Sequence, residues 1–126
     1  MSVKLKKIMR RNPANPSNSK WYLTPEKSGT VRVRQISKEV GAEAGILPKD
    51  VQKALDTLME LLPAYLKEGQ SVKLEGLGSF RVSVKSDGAN TQEELSPSNV
   101  KGVKVVFVPS AELKRKLADL SFEVEK

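Results

Sequence analysis

The chain has 126 residues, of which 38% are hydrophobic and 29% charged, and this length fits one domain with a modest core. Its formal net charge of +7 indicates a polyanionic partner, with nucleic acid ahead of an anionic membrane surface, although solubility alone is the simpler interpretation. The absence of cysteine excludes disulfides and thiol chemistry and fits a reducing cytoplasm.

The positive charge is concentrated at the N-terminus. Residues 1–34 contain nine Lys and Arg residues and one acidic residue, Glu26, whereas residues 35–126 contain 13 basic and 14 acidic residues. No apolar run long enough for a signal peptide or a membrane span occurs in the sequence. We therefore expect a cytoplasmic protein whose polyanion-binding groups lie first of all in the N-terminal quarter.

Alternating side chains predict a strand-rich module in residues 1–34. We expect Trp21 and Leu23 to share one side of a strand, with Trp21 anchoring that strand to a core; stacking of Trp21 and Tyr22 on nucleic-acid bases is the alternative. The predicted segments are a short edge strand around Val3 and Leu5, a loop from Asn12 to Ser19, a strand from Lys20 to Thr24, a turn at Ser28-Gly29 and a strand from Thr30 to Arg34.

Two helices follow this module. The first is predicted from Gln35 to Ala44, with Gly45 as its C-terminal stop. The second is predicted from Pro48 to Glu68, where Pro63 should kink or loosen the last turn. Its apolar stripe consists of Val51, Leu55, Leu58, Leu62 and Tyr65.

A β-hairpin and a final helix complete the predicted elements. Tyr65 in the long helix and Phe80 in the hairpin are expected in the core. The predicted segments are a hairpin from Gln70 to Lys85 that turns at Gly76 and Gly78, a polar loop or arm tip from Ser86 to Lys101, an apolar strand from Gly102 to Val108, and a helix capped by Ser110 in which Leu113, Leu117 and Leu120 face one way.

Two segments carry a family resemblance. Gly76-Leu77-Gly78-Ser79-Phe80 resembles the Gly-Phe-Gly-Ser/Thr-Phe turn of the HU and integration-host-factor family of bacterial histone-like proteins, and Phe107 to Lys114 is similar to that family's Phe-x-Pro-Gly-x-x-Leu-Lys segment. The order of elements also matches, and Lys53-Ala54-Leu55 matches the usual run of the long helix. The resemblance covers about 85 residues, from Gln35 to Leu120, and residues 1–34 look like the N-terminal extension of HU-related proteins from Bacteroides-type bacteria.

The resemblance implies an α+β fold that forms an intertwined homodimer, with a helical base and two β-hairpin arms that embrace double-stranded DNA through the minor groove and bend it. It divides the chain into an extension at residues 1–34 and an HU-like DNA-binding domain at residues 35–126. The sequence itself supports the dimer, since a long apolar helix stripe and a one-sided hairpin need a partner surface. The expected dimer core contains Leu55, Leu58, Leu62, Phe80 and Phe107.

The arm departs from the family pattern. Gly88-Ala89-Asn90-Thr91 stands where the family commonly has Gly-Arg-Asn-Pro, so neither the intercalating proline nor its arginine is present. The segment from Asp87 to Val100 contains no Lys or Arg, and Asp87, Glu93 and Glu94 make it acidic. An acidic tip repels phosphates, so we do not expect proline intercalation or strong kinking from this arm.

Candidate DNA contacts therefore lie at the base of the arm and in the N-terminal module, where a basic stripe takes over the role of the arm tip; lysines that protect an edge strand from aggregation are the alternative explanation. The candidates are Lys4, Lys6, Lys7, Arg10, Arg11, Arg32 and Arg34 in and beside the module, and Arg81, Lys85, Lys101 and Lys104 at the arm base.

Nothing in the sequence indicates an enzyme. It has no His or Cys to serve as base, nucleophile or zinc ligand, and no phosphate-binding glycine pattern, so we expect no catalytic residue, metal, cofactor or small-molecule substrate. The expected function is architectural, largely sequence-nonspecific DNA binding in the nucleoid. The alternatives are an HU-fold interaction module that has lost DNA binding, favoured by the acidic arm, and a binder of RNA or single strands.

Overall fold

A computed structural model describes residues 2–125 and resolves two compact units, which differ from the predicted division at residue 34. One unit comprises Met1–Val31 together with Leu117–Lys126, and the other comprises Arg32–Lys116. The elements in chain order are β1 (Ser2–Asn12), β2 (Asn15–Pro25), α1 (Val33–Ala44), α2 (Pro48–Lys67), β3 (Val72–Leu74), β4 (Gly78–Ser86), β5 (Val100–Pro109), α3 (Ala111–Lys116) and β6 (Ser121–Val124), with single 3₁₀ turns at Gln92–Glu94 and Pro97–Asn99.

The first unit is a three-stranded sheet with the strand order β2-β1-β6, which we call the N-terminal sheet. β1 and β2 form an antiparallel hairpin whose register places Ile8 opposite Tyr22 and Met9 opposite Trp21. β6 pairs in parallel with the start of β1, with Val3 opposite Phe122. The last strand of the chain therefore completes the sheet that the first strand begins.

Four predictions for the chain ends were wrong. β1 is the central strand of its sheet, not an edge, because the unpredicted β6 pairs with its free side. The loop expected from Asn12 to Ser19 is only a two-residue turn, and no strand covers residues 30–34, where α1 begins at Val33. The final helix ends at Lys116 and does not reach Leu117 or Leu120.

The two predicted helices are confirmed, and α1 ends as its sequence indicates. Gly45 adopts a left-handed conformation with φ of 71°, and its N–H donates to the carbonyl oxygen of Gly41. Gly41 is required by close packing, since a Cβ there would lie 2.6 Å from the Ile46 carbonyl oxygen. α2 starts with Pro48 and continues through Pro63 to Lys67.

Within residues 2–125, no helix has the length and apolar character needed to cross a membrane.

The sheet of the second unit has the order β3-β4-β5 and is antiparallel throughout. Phe80 lies opposite Phe107, and their ring centroids are 4.9 Å apart. Because directly opposed residues share a face, one side of the β4–β5 ribbon is apolar. Beyond the two rings, that side carries Val82, Val84, Val103 and Val105, all of them exposed.

The single chain buries very little apolar surface. Among the described residues, only Leu5 and Val51 are buried apolar side chains, at 9% and 8% exposure. The accessible surface is 10856 Å², whereas two separate compact units of these lengths would expose about 8,000 Å² together. An excess of about 3,000 Å² is comparable to what one subunit loses in a large obligate interface. The single chain thus leaves most of its large apolar side chains exposed to solvent.

Replacing Gly78 by Ala is expected to destabilise the second unit by about 2 kcal/mol, because overpacked side chains strain a folded core. A Cβ at Gly78 would lie 2.5 Å from the Val108 carbonyl oxygen and 2.7 Å from the Phe107 ring. Urea unfolding at one fixed protein concentration measures the effect. The control is Gly102→Ala in the same β4–β5 ladder, where a Cβ meets nothing within 4 Å. Equal stability of the two variants would contradict this account of Gly78.

Candidate nucleic-acid interface

One face of the N-terminal sheet is cationic, and we call it the basic face. Side chains alternate between faces along a strand, and residues directly opposed across a ladder share a face. The register therefore brings four cations together with Ile8 and Tyr22. Acidic residues accompany the first two of these cations: Glu123 is paired opposite Lys4 in β6, and Glu125, which is hydrogen-bonded to Glu26, interacts with Lys4 and Lys6. The four cations of the basic face are Lys4, Lys6, Arg10 and Lys20.

The turn end of the β1–β2 hairpin forms a polar cleft on the sheet. The guanidinium carbon of Arg10 lies 5.3 Å from the centre of the Tyr22 ring, which is a cation–π arrangement. Arg10 is opposed by Lys20 across the ladder, so two cations lie side by side at this end. The cleft is about 430 Å³ in volume and is lined by Arg10, Arg11, Asn12, Pro13, Asn18, Lys20 and Tyr22. Such a group of donors suits an anionic ligand such as a phosphate.

The structure divides the predicted N-terminal stripe. Lys7 is opposed by Leu23 and lies on the other face of the sheet, because its position in β1 has the opposite parity. Arg11 falls at an irregularity in the ladder between Arg10 and Asn12. Arg32 and Arg34 belong to the second unit, at the start of α1. Lys20 was missed, because a regular hairpin turning at Pro13-Ala14 would have placed Ser17 opposite Arg10, and only the irregularity between Arg10 and Asn12 brings Lys20 there.

The base of the arm presents a second set of cations. Arg81, Lys85 and Lys104 share one face of the β4–β5 ribbon with Ser83, and all three cations are exposed. Lys101 does not join them. Its ammonium lies 3.5 Å from the carboxylate of Asp87 and 3.4 Å from the Ser98 carbonyl oxygen. Three of the four predicted arm residues thus share one face, and the fourth contacts the arm tip.

The arm tip is held together by internal hydrogen bonds. The Asp87 N–H donates to the Asn99 carbonyl oxygen at 2.8 Å, and the Ser96 N–H donates to Asn99 Oδ1 at 2.9 Å. Glu93 and Glu94 lie exposed on a 3₁₀ turn between these contacts. The predicted polar tip is therefore an ordered loop with an acidic surface, and this geometry does not favour contact with phosphates.

Residues expected in a core are open in the single chain. Trp21 is 66% exposed and Tyr65 is 43% exposed, so the predicted burial of both is wrong for one chain. Leu55, Leu58 and Leu62 are half-buried along α2. Phe80 is half-buried as well, and Phe107 is 42% exposed. The predicted dimer-core residues are therefore incompletely covered within one chain.

Two carboxyl groups meet where β6 ends beside β1. A side-chain hydrogen bond to Glu26 and repulsion from its charge raise the pKa of Glu125 above its ordinary value, with a smaller contribution from burial. Lys4 and Lys6 act in the opposite direction and lower it. The folded sheet therefore favours the protonated form of Glu125, so this pair contributes stability in acid that is lost as the pH rises through the Glu125 pKa.

The chain has an HU-like fold. The chain superposes on a crystal structure of a candidate bacterial DNA-binding protein from Bacteroides vulgatus ATCC 8482, with a TM-score of 0.69 and 14% identity. That match covers 98% of this chain and 48% of the other, so the chain spans about half the length of that structure. An Anabaena HU–DNA cocrystal structure matches with a TM-score of 0.54 and 18% identity, covering 71% of this chain and 99% of the other.

Sequence similarity identifies the family. The profile of HU-HIG, described as an HU domain fused to wHTH, Ig or a glycine-rich motif, matches residues 1–124. The DNA-binding protein HU of Thermotoga maritima is 33% identical over 87 residues, which make up 67% of this chain and 96% of the relative. The chain belongs to the HU-HIG family, whose profile also includes the N-terminal segment that lies outside the HU resemblance.

Replacing Glu26 by Gln is expected to lower the pKa of Glu125, because it removes the negative charge that raises this pKa and leaves the effect of Lys4 and Lys6. An NMR titration of the Glu125 carboxyl carbon measures the midpoint in both proteins. Glu123→Gln serves as the control, since Glu123 is not among the groups that raise the Glu125 pKa. An unchanged midpoint in Glu26→Gln would show that the two carboxyl groups do not interact.

Proposed function

We propose that this chain is a non-enzymatic architectural protein that binds double-stranded DNA with little sequence preference, as a homodimer in the bacterial nucleoid. The observation that carries the proposal is the alignment of exposed cations on two sheet faces of an HU-family chain. One set is the basic face of the N-terminal sheet, and the other is Arg81, Lys85 and Lys104 at the arm base. Membrane binding and small-molecule substrates have no part in it.

Phosphate contacts are the basis of the binding we propose. Lys and Arg side chains on exposed strands reach a charged backbone, and such contacts fix the orientation of a protein without reading base edges. Two similar proteins support the proposal of DNA binding. The Thermotoga maritima relative is a DNA-binding protein, and the Anabaena HU was crystallised with DNA. The acidic arm tip moves the contact surface towards the arm base and the N-terminal sheet.

The dimer follows from the surface that one chain leaves open. The stripe of α2 and the apolar side of the β4–β5 ribbon are uncovered together. Burial of apolar surface yields about 25 cal/mol per Å², so the excess surface represents a large driving force for association. In a two-fold dimer, each subunit contributes the same α2 stripe and the same apolar side of its β4–β5 ribbon, so the interface is isologous.

A second function is favoured by the arm tip. Asp87 binds Lys101 at 3.5 Å, and Glu93 and Glu94 add further negative charge, so the tip has no free cation among residues 87–100. This composition suits an HU-fold module that binds other proteins in place of DNA. Gel shifts on random duplex at moderate salt separate the two functions, since micromolar, salt-sensitive binding supports the first and its absence supports the second. A preference for unpaired strands would indicate the RNA or single-strand alternative.

Lys6→Ala is expected to weaken duplex binding, whereas Lys7→Ala, one residue further along β1, is expected to leave it nearly unchanged. Both variants remove one positive charge per chain, but only Lys6 lies on the basic face. Fluorescence anisotropy with a random duplex at several salt concentrations provides the affinities. Equal losses in the two variants would mean that net charge, not the basic face, controls binding.

A triple variant, Lys4→Ala with Lys6→Ala and Arg10→Ala, is expected to reduce the salt dependence of the same affinities. Six engaged phosphates give a slope of about −5 for log affinity against log salt, and each lost contact flattens it by about 0.9. The decrease in affinity should exceed tenfold at low salt. A triple variant with the wild-type slope would exclude the N-terminal sheet from the DNA contact.

Leu58→Asp is expected to weaken the dimer, because it places a charge in the open stripe of α2. Sedimentation equilibrium should give twice the 13.9 kDa chain mass for the wild type and a lower mass for the variant. The control is Thr57→Asp, which adds the same charge at an exposed position one residue away. Circular dichroism tests whether the variant also loses helix, as an obligate dimer would. A monomeric wild type at micromolar concentration would overturn the proposed assembly.

A further inference from the structure

We infer that the N-terminal sheet has its own partner, the same sheet of a second copy, and that the two pack face to face as a two-layer sandwich. The face involved is the one opposite the basic face, and we call it the apolar face. Its side chains come from all three strands by register. They are Val3, Leu5, Lys7 and Met9 of β1, Trp21, Leu23 and Pro25 of β2, and Phe122 and Val124 of β6.

The apolar face is largely open in the single chain, with Leu5 buried at 9% exposure and Val3 half-buried. Met9 is 50% exposed, Leu23 is 53% exposed and Trp21 is 66% exposed. On β6, Phe122 is 59% exposed and Val124 is 43% exposed. One layer of three strands with a bare apolar face lacks the covering layer that stable sheets have. This unit therefore needs a second layer, independently of the helices and ribbon of the second unit.

The area matches what a pair of sheets requires. Five side chains with these exposures present about 500 Å², since a fully exposed aromatic or large aliphatic side chain presents about 150–250 Å². This exceeds the scattered apolar exposure of ordinary surfaces and lies in the range of functional patches. Together with Val3, Pro25 and the Lys7 stem, the face approaches the roughly 800 Å² per partner of a standard interface.

The chemistry of the two faces selects a second copy as the occupant. Among the paired residues of the apolar face, Lys7 is the single charged group, and no acidic residue accompanies it. A basic partner would find no acidic group on the apolar face. A second copy of the chain, in contrast, supplies an apolar surface of the same size. Two such sheets packed about 10 Å apart bury both apolar faces and leave both basic faces outward. If the proposed function holds, this packing places a DNA-binding face on each side of the sandwich.

Site-specific cross-linking tests the sandwich, because the chain contains no cysteine and each introduced thiol is unique. Met9→Cys lies on the apolar face and Tyr22→Cys lies on the basic face, at similar exposures of 50% and 44%. A bismaleimide that spans about 10 Å matches the separation of facing sheets. We expect covalent dimers at least tenfold more abundant for Met9→Cys than for Tyr22→Cys. Equal yields would overturn the proposal.

Trp21, the only tryptophan, gives a second readout without chemical modification. Its emission should shift to shorter wavelength and its quenching by acrylamide should fall as the protein concentration rises. Leu23→Thr on the apolar face should move this transition to at least tenfold higher concentration, and Ile8→Thr on the basic face should not. Emission that stays at long wavelength at all concentrations would overturn the sandwich. Duplex affinity is measured separately, so loss of DNA binding with Trp21 still buried would overturn only the proposed function.

Discussion

The structure depends on how much apolar surface one chain can cover by itself. Both sheets are single layers, and a single layer has two faces of which only one can be apolar and remain soluble. Leu5 and Val51 are the buried apolar side chains among residues 2–125, while Trp21 and Phe107 remain open. In the dimer that we propose, association would therefore be part of the fold, and stability would depend on protein concentration.

The same alternation that creates the apolar faces creates the cationic ones. In β1, the residues with even numbers from Lys4 to Arg10 point to the basic face, and those with odd numbers from Val3 to Met9 point to the apolar face. The N-terminal charge is thus sorted by strand parity, and Lys7 is the exception that falls among apolar neighbours. In the second unit, the β4–β5 ribbon repeats the arrangement in part. Val82, Val84, Val103 and Val105 share one side, and Arg81 and Lys104 lie on the other side together with Val106 and Val108.

Elements with strong local periodicity were predictable from the sequence. The α2 stripe, the hairpin around Gly76 and Gly78, and the Ser110 cap, whose hydroxyl accepts from the Leu113 N–H at 3.0 Å, all follow from neighbouring residues. Residues 30–34 were misread because Val33 fits a helical period with Ile36 and Val40 as well as a strand period. β6 was missed because its partner strand lies more than a hundred residues away, and no local pattern reports such a pairing.

The candidate site was predictable in composition but not in arrangement. The basic N-terminal quarter was evident from the sequence, whereas the separation of Lys7 from Lys6 and the inclusion of Lys20 depend on hairpin register. Lys101 was placed with the arm-base cations, but its contact with Asp87 is made across an irregularity in the ladder that the sequence does not reveal. A one-residue change of register moves a side chain to the other face, so charge counts alone cannot define such a surface.

The parallel pairing of β1 with β6 has a consequence for biosynthesis. β1 leaves the ribosome before β6, and at about 5–20 residues per second the interval between them is about 6–25 s. During that time the basic hairpin is a two-stranded ribbon whose β1 edge has open backbone donors and acceptors. Lys4 and Lys6 lie on that edge, and charged side chains of this kind discourage pairing with other nascent chains. The N-terminal sheet is thus completed only after the whole second unit has been synthesised.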